Sequence, residues 1–149
     1  MRIFLAGIMQ GSRQAKALHD QTYRQRLKRL LTLHLSGAEV YDPLEDHRDS
    51  INYDARTGRD VFLYHNRMCG EVDVVVAFVP EASMGTAIEM WEAYRNGRAV
   101  IAISPLDRNW TVKYCSHAIY PDVDAFETAL KSGEVQQRIA EVLAPEQGE

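Results

Sequence analysis

The sequence predicts a single α/β domain, a three-layer sandwich on a five-stranded parallel sheet of order 2-1-3-4-5. Three observations predict it. Short apolar runs alternate with longer stretches of helical periodicity, the pattern of strand–helix–strand units whose crossovers leave neighbouring strands parallel. One run, VDVVVAFV at residues 72–79, is almost continuously apolar, as a strand buried on both faces must be. The chain has 149 residues, enough for one core and too few for two ordinary ones, so residues 1–149 are read as one domain.

Taken in order, RIFLA at residues 2–6 is the first strand. Gly7 and Gly11 follow it and allow a tight turn. A helix is expected over 13–36, with Leu27, Leu30, Leu31 and Leu35 on one face; Arg24, Arg26, Lys28 and Arg29 form its solvated side, and Gly37 ends it. AEVYDP is a short second strand closing at Asp42-Pro43. The polar stretch LEDHRDSINYDARTGRD is long for a connection in a compact domain, and loops of that length are often functional or mobile. A helix over 60–70 turns Val61, Tyr64 and Met68 inward. The valine strand then leads through Pro80, Ser83 and Gly85 into a helix reaching about residue 96, with Gly97 as its stop and Ala87, Met90, Trp91 and Tyr94 as its inward stripe. AVIAIS at 99–104, a short helix at 107–116, AIY at 118–120 and helical DVDAFETAL and EVQQRIAEVL complete the chain. This flavodoxin-like order sets strands one and three side by side. The loops GIMQGS and PEASMGT then meet at the switch point, where such sheets bind ligands.

Composition narrows the function. The net charge of −4 gives no broad attraction to nucleic acid. Cys69 and Cys115 form no CxxC pair and no ligand cluster with the five histidines, so they are expected as buried thiols of a cytoplasmic protein, with no metal. No apolar run approaches the roughly 18 residues of a membrane span, and the N-terminal run is short for a signal peptide. GxGxxG and GxxxxGK[ST] are both absent, which removes the main support for a dinucleotide or P-loop site, and no cofactor is expected.

The junction after the valine strand is the most informative segment. The first N–H groups of a helix favour an anion. Gly85 admits close approach to the backbone, Ser83 and Thr86 add hydroxyls, and Glu89 leans back toward the helix start. An acidic residue early in a helix also complements the macrodipole with no further role.

IFLAG, DVVVAFV and SMGTAIEMWEAY together resemble the nucleoside 2-deoxyribosyltransferase superfamily, which includes 2'-deoxynucleoside 5'-monophosphate N-glycosidases and CMP N-glycosidases. The likeness runs from residue 2 to about 104, with AIYPDVDAF as the last strand and helix. The S-x-G-x-x-x-E segment is its specific part. The resemblance implies that Glu89 is the nucleophile at C1' of the sugar. It implies that Ser83 serves a 5'-phosphate and that Gly85 and Thr86 form the phosphate- or sugar-facing turn. Gly7 and the residues after it, including Gln10 and Gly11, then line the nucleobase pocket. It further implies a homodimer or higher oligomer whose neighbouring subunit closes the site; Trp91 and Tyr94 suit such an interface or the core.

There is one departure. The family carries an aspartate eight residues before the one opening the valine strand. Counting back from Asp73 reaches His65, followed by Asn66. His65 can replace that aspartate as a proton donor near neutral pH, or Asp60 can, or His65 is a partly buried helix residue. Asp42, Asp46 and His47 are further candidates for base or sugar recognition, or simply a solvated loop. The expectation is cleavage of the N-glycosidic bond of a (2'-deoxy)nucleoside or its 5'-monophosphate, with transfer to water or another base. The alternatives are a nucleotide sensor that has lost the chemistry and an interaction domain without a ligand.

Overall fold

The computed structural model describes residues 1–9 and 20–145. The expectations for Gln10 and Gly11, and for a helix beginning at residue 13, fall outside these residues. Within them, five strands form one all-parallel sheet, β2-β1-β3-β4-β5. The strands are β1 (Arg2–Gly7), β2 (Glu39–Tyr41), β3 (Val74–Phe78), β4 (Ala99–Ile103) and β5 (Ala118–Tyr120). The helices are α1 (Thr22–His34), α2 (Pro43–Asp46), α3 (Ala55–Glu71), α4 (Met84–Arg95), α5 (Trp110–Tyr114), α6 (Val123–Ser132) and α7 (Glu134–Leu143).

Alternation along the strands builds two cores. Ile3, Leu5, Val74, Val76, Ile101 and Ile103 face Leu27 and Leu31 of α1 and Phe126, Leu130 and Ile139 of α6 and α7. Phe4, Ala6, Val75, Ala77, Val100 and Ala102 face Cys69 of α3, Met90 and Ala93 of α4 and Val112 of α5. Both faces of β1, β3 and β4 are therefore covered, which is why their sequences are apolar without alternation. Ala6, Ala77 and Ala102 pair across adjacent strands. This row of small side chains near the carboxyl ends lets α4 lie close to the sheet. Register pairs Gly7 with Phe78, so the segments leaving β1 and β3 start side by side.

Three details differ from the pattern expected of the sequence. The buried residues of α4 are Thr86, Met90 and Ala93, while Trp91 and Tyr94 are 51% and 40% exposed. The inward arc is rotated because α4 packs on the sheet and on α3 together, and the aromatic row falls on neither. Tyr64 is likewise exposed, and α3 instead buries His65, Asn66 and Cys69. The long polar stretch is also more ordered than a loop. It holds α2, a 3-10 turn at Ser50–Asn52 and the first turn of α3, each begun by an aspartate or closed by a backbone bond.

Candidate active site

The carboxyl end of β1 opens into a cavity of about 80 Å³, lined in part by Gly7, Arg24, His47, Ser50, His65 and Glu89. Glu89 reaches it from the second turn of α4. Its carboxyl is pushed up to about 7 by burial, and the opposing pull of the Arg24 guanidinium offsets only part of this. A carboxyl so placed is partly ionised at neutral pH and poised to act on a bound molecule.

Arg24 anchors the floor. It is 2% exposed and almost every donor is used: Nη1 donates to Asp42 Oδ1 at 2.9 Å and to the Leu5 carbonyl, Nη2 to the Gly7 carbonyl, and Nε to Gln21 Oε1. It ties the start of α1 to the end of β1. Arg24 was expected on the solvated side of its helix. It lies three residues before Leu27 and seven before Leu31, on the apolar stripe itself, and that spacing is the signal that could have exposed it.

Gly7 is required here by space. A side chain on it would overlap the Tyr23 hydroxyl, which donates to the Ile8 carbonyl while its ring lies 4.1 Å from that of Phe78. Gly85 differs: a side chain there would meet nothing within 4 Å, so the start of α4 is open on that side.

His65 is 9% exposed and sits among Phe4, Tyr41 and Tyr64, with its Nε2 3.2 Å from Tyr41 Oη. Burial first, then the neighbouring His47, pushes its imidazole down to about 4, against the opposite pull of Asp46. Burial and Asp46 raise the Tyr41 hydroxyl to about 12, so it stays protonated. The His47 and His65 rings meet edge to face, centroids 5.1 Å apart. Of the two readings the sequence leaves for His47, base or sugar recognition or a solvated loop, the structure sets it on the cavity wall.

The remaining candidates stand apart from this cavity. Ser83 caps α4, its Oγ 2.9 Å from Thr86 Oγ1 and 3.4 Å from the Thr86 N–H. It lines a separate, largely apolar cavity of about 170 Å³ with Met90, Asn109 and Val112. The N–H groups of Met84 and Gly85 have no hydrogen-bond partner among the described residues. Asp42 begins α2 by accepting from the Leu44 N–H and holds Arg24, so it borders the groove outside the guanidinium rather than Glu89. Among the described residues, no three His, Cys, Asp or Glu side chains stand together as metal ligands, and no helix is long and apolar enough to cross a membrane.

No protein-family model matches the sequence, and no curated protein does. Solved structures do. The chain superposes on a 2-deoxyribosyltransferase from Bacillus psychrosaccharolyticus with a TM-score of 0.64 and 19% identity, over 85% of this chain and 90% of that one. It superposes on a CMP N-glycosidase from Clostridium botulinum with a TM-score of 0.52 and 22% identity, over 89% and 99%. At these identities the likeness shows a shared fold: an α/β sandwich on a parallel 2-1-3-4-5 sheet, common to this chain, a deoxyribosyltransferase and an N-glycosidase.

Proposed function

We propose that this protein cleaves the N-glycosidic bond of a (2'-deoxy)nucleoside or its 5'-monophosphate, with Glu89 as the nucleophile at C1'. The observation that carries the reading is the cavity itself. It gathers an elevated carboxyl, a buried guanidinium and two imidazoles at the carboxyl end of β1, on the edge of the sheet where this strand order binds ligands. Two structures of the same fold are named for reactions at this class of bond.

Cleavage builds positive charge on the sugar ring, which a carboxylate beside C1' stabilises or traps covalently. The departing base needs a proton, and the His47–His65 pair is placed to supply one. The cavity is far smaller than the roughly 300–1,000 Å³ of ordinary small-molecule sites, so it takes the reacting centre and the rest of the substrate extends outward. Toward α4, the free N–H groups of Met84 and Gly85 and the Ser83 hydroxyl suit a 5'-phosphate. The intermediate then passes to water or to a second base. Large apolar side chains on the outer faces of α3 and α4 favour a homodimer.

The test is a panel of nucleosides and 5'-monophosphates, with and without an acceptor base, followed for free base and exchanged nucleoside. Base release by the wild type, lost in Glu89→Ala, is the expected result. Release that persists in Glu89→Ala overturns the nucleophile, and equal turnover of nucleosides and monophosphates by wild type and Ser83→Ala overturns the phosphate role. A histidine where the family has an aspartate favours one other reading, a nucleotide sensor, which saturable binding without turnover would support.

A further inference from the structure

We propose that His47, oriented by Tyr53, rather than His65, gives the departing nucleobase its proton; this rests on the glycosidic-bond reading above. Two imidazoles line the cavity with Glu89, and their surroundings divide the work. His65 is enclosed by three aromatic rings, and its Nε2 is engaged by Tyr41. A second proton there would place a charge in an apolar shell.

His47 is half-buried at the end of α2. Its backbone N–H donates to the Pro43 carbonyl, which fixes where the ring starts. Its Nδ1 lies 2.9 Å from Tyr53 Oη, with the rings edge to face. Nε2 has no partner among the described residues, while the residue lines the cavity shared with Glu89. One ring nitrogen held by a neighbour and the other without a partner, on a residue that lines the site, suits a general acid. The charged and titratable groups around it are His65 from α3, Glu89 from α4, Arg24 from α1, and Asp46 and Tyr53 from its own segment. The two rings lie 5.1 Å apart, and His65 is the one sealed among aromatic rings.

The step balances. Glu89 Oε forms a bond to C1' as the C1'–N bond breaks, and its electron pair leaves with the base. The proton of His47 Nε2 passes to an acceptor atom of that base. In the second half, neutral His47 takes a proton from the attacking water or incoming base as C1' releases the Glu89 carboxylate.

The test compares each variant on two substrates: a nucleoside or monophosphate cleaved by the wild type, and the matching glycoside whose leaving group needs no proton, an N7-methylated purine or 4-nitrophenolate. His47→Ala and His47→Gln should lose about 10²–10⁴-fold in kcat on the first and less than about tenfold on the second. Because both rates come from one preparation, a folding defect cancels in their ratio. Tyr53→Phe should show a smaller loss of the same kind, and His65→Gln no dependence on leaving group. Equal loss on both substrates in the His47 variants, or a leaving-group effect in His65→Gln, overturns the assignment while cleavage itself stands. A wild type that cleaves neither substrate overturns both readings.

Discussion

Glu89 carries a cost that can be measured without knowing the substrate. Its carboxyl releases its proton near 4.5 in an unfolded chain and near 7 in the folded one, because burial disfavours the charge and Arg24 compensates only in part. Between these values the folded state binds more protons, so its stability falls as pH rises from about 4.5 to about 7 and is level beyond. The difference of two to three pH units corresponds to at most about 3–4 kcal/mol, reduced where the rim of the cavity admits water. Glu89→Gln is therefore expected to be more stable than wild type at pH 8, with the gap closing toward pH 4.5. Urea denaturation at the two pH values checks this, and a variant equally stable or weaker at pH 8 would show that burial does not strain this carboxyl. The same strain serves the proposed chemistry, since nucleophiles are commonly held in states that cost stability.

At the scale of elements, the segment between β2 and α3 is what makes the site, and its anchor is Asp42. One carboxylate oxygen both starts α2 and holds Arg24, with the two side chains 2% and 7% exposed. Asp42→Ala removes the cap and strands a buried guanidinium, which costs about 3–5 kcal/mol. Asp42→Asn keeps the cap oxygen and should cost less. Chemical denaturation midpoints for the two variants check the order, and an Asp42→Ala loss under about 1 kcal/mol would mean that Arg24 finds another partner. This segment also shows where sequence stops informing. The strands β1, β3 and β4 are legible because burial on both faces leaves unbroken apolar runs. Glu89 was legible from its distance to the strand and its resemblance to a known segment. Arg24 reads as solvated in sequence, since its charge outweighs its place on the leucine stripe. His47 meeting His65, and Tyr23 filling the space beside Gly7, are contacts between distant residues that no local period records. The row of Trp91 and Tyr94 leaves core and interface both open in sequence, because an aromatic stripe at helical spacing does not say which face a helix buries when it packs on two neighbours.

That aromatic row matters most for the whole molecule. α3 and α4 pack side by side, and both turn large apolar side chains outward: Phe62 on α3, and Met84, Ile88 and Trp91 at i, i+4 and i+7 on α4. Met84 is 81% exposed at the start of the helix that carries Glu89. Water against such a surface is costly at roughly 25 cal/mol per Å², and contiguous patches of this kind mark protein contacts more often than bare surface. A symmetric pairing of this face would need about 600–1,000 Å² from each copy to be stable. The expected outcome of sedimentation velocity is a dimer at micromolar concentration. Trp91→Glu and Ile88→Glu should each shift it to monomer without unfolding it, because neither side chain belongs to the core. If the neighbouring copy also closes the site, as the family resemblance implies, these monomers will lose base release although Glu89, Arg24 and both histidines are untouched. A wild-type monomer at working concentration rejects the dimer. Monomeric variants with full turnover would show instead that each chain holds a complete site.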